Sequence, residues 1–86
     1  MVYKFTPKGV CSQQITIELS DSGIIENVSF RGGCHGNTQG VSVLCKGMKA
    51  EDAIAKLSGI DCRGRGTSCP DQLSIALKEA LNAQKA

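Results

Sequence analysis

The chain has no tryptophan and only three aromatic residues, Tyr3, Phe5 and Phe30. It has a single histidine, His35, and no run approaching the ~18 apolar residues that a membrane-spanning helix needs. Each scarcity removes a class of function. Three aromatics offer little for stacking on bases. Ten Lys and Arg against eight Asp and Glu leave a net charge of only +2. That combination lacks the footprint of a nucleic-acid binder. The shortness of the apolar runs argues against a membrane span. No basic start followed by an apolar stretch opens the chain, so no secretory signal is read. A lone histidine leaves no credible Ser/His/Asp set. The phosphate-cradling pattern G-x-x-x-x-G-K-[ST] is missing too. Gly32-Gly33 and Gly64-x-Gly66 are more generic, and read as places where backbone passes close to a neighbour.

What is present is one small domain, residues 1–86, at 9.0 kDa. Its 41% hydrophobic and 21% charged residues are ordinary for a globular protein. A chain of this size buries roughly 60–70% of its unfolded surface, so its core is thin and gains from a staple. Five cysteines are the obvious source of one. The odd count, the missing signal and strong helical patterning point away from a secreted disulfide scaffold. They point to a reducing, cytoplasmic setting, where such cysteines read as metal ligands or reactive thiols.

The apolar spacing orders the chain as strands followed by helices. Residues 2–6 (VYKFT) are short and β-prone, and Pro7 and Gly9 break them. Residues 13–20 alternate, with Ile15, Ile17 and Leu19 on one face. Ser20-Asp21-Ser22-Gly23 reads as a turn. Residues 24–31 form the next strand, with Ile24, Val28 and Phe30 sharing a face, and the short turn makes the two strands antiparallel neighbours. The period then changes. Val41, Leu44, Cys45 and Met48 form a helical stripe, with Asn37 or Thr38 as its cap and Gly47 at its end. Ala50, Ala53, Ile54 and Leu57 predict a second helix closed by Gly59. Ser68 caps a third, with Pro70 and Asp71 in its first turn and Leu73, Ala76, Leu77, Ala80 and Leu81 on its buried face. The expected class is α+β: a small antiparallel sheet of about three strands with three helices packed on one face. The other face of so small a sheet would be left open, and a homodimer would cover it.

Four cysteines fall at element ends on this map. Cys11 precedes a strand, Cys34 follows Gly32-Gly33, Cys62 lies in a Gly/Arg loop, and Cys69 begins the last helix. Cys45 differs, because it lies on a buried stripe and reads as a small hydrophobe of the core. Helix starts favour the thiolate, the ligating form, and both Cys34 and Cys69 stand at one. Arg31, Arg63 and Arg65 add positive potential nearby in sequence. Four thiolates suit a closed tetrahedral Zn²⁺ site or an iron–sulfur cluster. The spacing has no C-x₂-C knuckle, so idle thiols or two disulfides stay open as alternatives.

The segment Thr67-Ser68-Cys69-Pro70-Asp71 resembles the TSCPD domain, known as small stand-alone bacterial proteins and as a C-terminal segment of some ribonucleotide reductases. The likeness extends to Gly9-Val10-Cys11-Ser12, Gly32-Gly33-Cys34-His35-Gly36-Asn37, Lys46-Gly47-Met48 and Cys62. It implies a four-cysteine set of Cys11, Cys34, Cys62 and Cys69. The order of strands, helices and cysteines is also similar to NifU/IscU-type iron–sulfur scaffold proteins. That resemblance implies the same α+β fold, with Cys11, Cys34 and Cys69 converging on one rim. Where scaffolds carry an Asp this chain has Gln13, and where they carry a His it has Ser68. Cys62 is an added thiol. Four thiolates release a metal less readily than a mixed set, which favours a resident Zn²⁺ or cluster over transfer. His35 is either an extra ligand beside Cys34 or a surface-loop residue.

Three functions follow as expectations. The first is a metal-binding module using Cys11, Cys34, Cys62 and Cys69, accessory to ribonucleotide reductase or to an iron–sulfur or thiol-redox protein. The second is a thiol–disulfide or sulfur carrier, with Cys69 as its reactive thiol. The third is a disulfide-stabilised interaction domain. Reductase activity by the chain alone is not expected. A radical-shielding barrel and a nucleotide pocket need far more than 86 residues.

Overall fold

The computed structural model describes every residue except Cys11, Cys34, Cys62, Arg63, Arg65 and Ala86, and gives only the backbone of His35 and Lys85. Three strands come first: β1 (Val2–Phe5), β2 (Ser12–Leu19) and β3 (Ile25–Gly32). Three helices follow: α1 (His35–Cys45), α2 (Ala50–Leu57) and α3 (Cys69–Lys85). The strands form one antiparallel sheet in the order β1-β2-β3. This is the α+β arrangement that the spacing predicts.

The sheet separates its two faces by the period-2 rule. Ile15, Ile17, Leu19, Ile25 and Val28 point inward and meet Leu73, Ala76, Leu77 and Ala80 of α3 with Ala50 and Ala53 of α2. All the helices therefore cover one face. The other face carries Lys4, Thr16 and Ser29 in one row and Gln14 and Arg31 in the next. These side chains are polar, and Val2 of β1 stands exposed on the same face. The N-terminal strand is tied to the last helix by Tyr3, whose Oη donates to Glu79 Oε1 at 2.8 Å.

Two bulges correct the strand reading. Glu18 pairs with Asn27 but Leu19 pairs with Ile25, so Glu26 is an extra residue on β3. The insertion moves the inward position from Ile24 to Ile25, and Ile24 instead bridges to Lys49. A second shift lies between Ser12 and Gln14, which pair with Gly32 and Arg31. It turns Ser12 to the buried side along with Ile15.

The first helix also departs from the reading. It starts at His35, so Asn37 and Thr38 lie inside it and do not cap it. Its core face is Thr38, Val41 and Cys45. Leu44 is one position off that face and is 76% exposed. Met48 lies beyond the helix end and packs on the core from the turn that Gly47 makes at φ 89°. The other two helices hold as predicted. Gly59 follows α2 at φ 82°, and Ser68 Oγ accepts the Asp71 amide at 3.1 Å as the cap of α3. Among the described residues, no helix is long and apolar enough to cross a membrane.

Candidate functional site

Of the four cysteines expected to converge, Cys69 is the one whose surroundings are described. It occupies the first position of α3, immediately after the Ser68 cap. Its thiol is free and partly buried. The Sγ lies 3.3 Å from Ser12 Oγ, within hydrogen-bond reach. Ser12 is 4% exposed, so this hydroxyl faces the thiol from inside the protein. Gly33 closes on the same residue. It sits at φ 85°, and a Cβ there would stand 3.3 Å from the Ser12 backbone nitrogen and Cβ. The backbone angle calls for glycine, and the contact leaves a Cβ little room. Ser12 and Gly33 are the chain neighbours of Cys11 and Cys34. The predicted ligands Cys11, Cys34 and Cys62 themselves lie outside the described residues, as do Arg63 and Arg65. Among the described residues no three His, Cys, Asp or Glu side chains gather as a metal-binding group.

A hydrogen-bond network joins the loops at this end. Lys8 donates its amide to Gln72 Oε1 at 3.0 Å. Gln72 Nε2 donates to Thr67 Oγ1 at 2.9 Å, and Thr67 Oγ1 donates to Asp71 Oδ2 at 2.6 Å. The Gly59 amide donates to Asp71 Oδ1 at 2.6 Å. Gly9 comes so near Thr67 that a Cβ would lie 3.1 Å from its methyl group. The β1–β2 loop, the end of α2 and the start of α3 are thus held to one another through Thr67, Asp71 and Gln72. Asp61 shapes the loop before α3 by accepting the amides of Gly64 and Gly66. The sequence reading gave Asp71 a role at the helix dipole. Its second role as a clamp was not foreseen, and neither was Gln72. A signal for Gln72 did exist: it is a polar residue on the apolar spacing of α3, four before Ala76.

Cys45 stands apart. It is 3% exposed in the core, as expected, and burial pushes its thiol pKa up. Burial thus favours its neutral form, in keeping with its place among the core side chains. Arg31 is exposed on β3, and the His35 side chain is outside what is described.

The Asp71 carboxyl is held below its ordinary 3.8 by the Thr67 hydroxyl, then by the Gly59 amide, with a smaller contribution from Lys78. A carboxyl whose folded pKa is depressed adds stability above its unfolded pKa and loses it as pH falls through the folded one. Asp71→Asn should therefore cost about 1 kcal/mol near pH 7, discounted for partial exposure. The difference from the parent should shrink below about pH 3.8 as the parent carboxyl protonates. Urea unfolding of both proteins at neutral and acid pH checks this. An equal deficit at both would refute it.

These features define a two-layer α+β domain with a helix-start thiol at the junction of three loops. The sequence matches the TSCPD domain over residues 1–81. The chain belongs to that family. No curated protein and no solved structure gives a match.

Proposed function

We propose that this chain is a small metal-binding module in which Cys11, Cys34, Cys62 and Cys69 hold one Zn²⁺ or an iron–sulfur cluster. It serves as an accessory to ribonucleotide reductase, or to an iron–sulfur or thiol-redox protein, and is not a reductase by itself. The observation that carries this reading is the meeting of Cys69 with Ser12 and of Ser12 with Gly33. The thiol at the helix start meets the chain neighbour of Cys11, and that residue in turn meets the chain neighbour of Cys34. The donor set suits the metals: thiolates are what structural zinc and iron–sulfur clusters take. The clamp through Thr67, Asp71 and Gln72 supports the same reading, because metal ligands need a rigid surrounding to hold their geometry.

The test uses protein purified without oxygen. Metal and sulfide per chain, the visible spectrum and the free-thiol count are measured on one sample. The expected result is either one zinc with no colour, or iron and sulfide with a brown chromophore. No metal and five titratable thiols would overturn the proposal. The thiol-carrier reading would then lead, since Cys69 bears a free and partly accessible thiol.

A further inference from the structure

Helix α1 (HGNTQGVSVLC) contains no Asp, Glu, Lys or Arg, yet two of its large apolar side chains face outward. Val43 is 67% exposed and Leu44 76%. On the same outward side, Gly36 and Gly40 have open space where a Cβ would stand. Leu44 forms one wall of an open groove of about 350 Å³ between α1 and α2. Val41, Met48 and Leu57 form other walls, and Lys56 stands at the groove as its charged residue. This is an apolar hole beside an apolar projection on one patch. Isolated exposed leucines need no explanation, but two neighbouring exposed apolar side chains beside an apolar groove single this face out.

Two observations point to a second copy of this chain as the occupant. A two-fold contact uses the same patch on both subunits and requires that patch to be self-complementary. A projecting Leu44 next to a hole that would fit a leucine meets that requirement. The charges of α2, with Lys56 at the groove, meet it as well. Asp52 and Lys56 are both exposed and one turn apart on the same side of α2. Running the two α2 helices antiparallel sets Lys56 of each copy against the partner's Asp52. The uncharged α1 adds no like-charge repulsion. Among the described residues, the outer face of the sheet pairs one exposed apolar residue, Val2, with polar side chains.

We infer that the chain forms a two-fold dimer through its α1/α2 face, with Leu44 of each copy seated in the groove of the other. Sedimentation equilibrium of the full chain, purified without oxygen, tests this from micromolar to millimolar concentration. A monomer–dimer equilibrium is expected. Leu44→Asp should raise the dissociation constant at least about tenfold while leaving circular dichroism and melting temperature of the monomer unchanged. Lys56→Asp alone and Asp52→Lys alone should each weaken the dimer by placing like charges together. An equimolar mixture of those two variants should restore it, because every contact in the mixed dimer again pairs opposite charges. A monomer at all concentrations overturns the inference. So does a dimer indifferent to Leu44→Asp, or one weakened by each charge variant alone that their mixture does not restore.

Discussion

Replacing Cys69 with serine should strip the metal from the proposed four-cysteine site and lower the melting temperature in the same step. Apparent metal-binding free energies at structural zinc sites are about 10–16 kcal/mol, and this becomes folding free energy when the unfolded chain holds no site. Losing even part of it is large for a domain whose stability is expected to lie between about 5 and 15 kcal/mol. For a chain of this length, each kcal/mol moves the melting temperature by roughly 4–8 °C, so a fall of more than about 10 °C is expected. Metal content should drop from one per chain to a small fraction. Two controls separate the site from the fold. Cys45→Ser places a hydroxyl in the core and should destabilise the protein while leaving metal content unchanged. Ser12→Ala removes the hydroxyl that faces Cys69 but no proposed ligand. Full metal occupancy in Cys69→Ser would end the four-cysteine reading. A stable, metal-free parent whose thiol exchange disappears in Cys69→Ser would instead establish the thiol-carrier role.

The residue pattern was enough to locate all six elements: β1 by its β-prone residues, the others by the spacing of the apolar side chains that each turns inward. It failed where one residue more or less changes a face. Glu26 looks like any strand residue, yet as a bulge it moves the buried position from Ile24 to Ile25. Alternation alone carries no sign of such an insertion. Leu44 fits a helical stripe on spacing, but a stripe is buried only as far as another element covers it, and Leu44 stays 76% exposed. The candidate site was legible as residue types and only partly as geometry. The cap at Ser68 and the helix-start position of Cys69 follow from local rules and are present. The Ser12–Cys69 contact spans 57 residues of sequence and depends on the bulge that turns Ser12 inward. No local rule predicts it. Cys11, Cys34 and Cys62 lie outside the described residues, so their convergence belongs to the proposal and to its test.

Gln72→Leu should weaken both the fold and the proposed metal site, although Gln72 is not a proposed ligand. The substitution keeps much of the side-chain volume and removes both ends of a bridge. The Lys8 amide loses its acceptor in a partly buried place, and Thr67 Oγ1 loses the donor that holds it. An unsatisfied buried amide costs about 1–3 kcal/mol, so a fall of roughly 4–20 °C in melting temperature is expected. The bridge also ties the β1–β2 loop, which leads to Cys11, to the first turn of α3, which bears Cys69. Positioning contacts of this kind typically change metal affinity by about 10–100-fold. Competition with a chelator of known affinity would measure that change at a temperature where both proteins remain folded. Gln72→Glu provides the discriminating comparison. Its carboxylate still accepts from Lys8 but cannot donate to Thr67, so its loss of affinity should fall between the parent and Gln72→Leu. If both variants lose stability yet hold metal as tightly as the parent, the clamp serves the fold alone, and the site must be organised by its ligands without help from the loops.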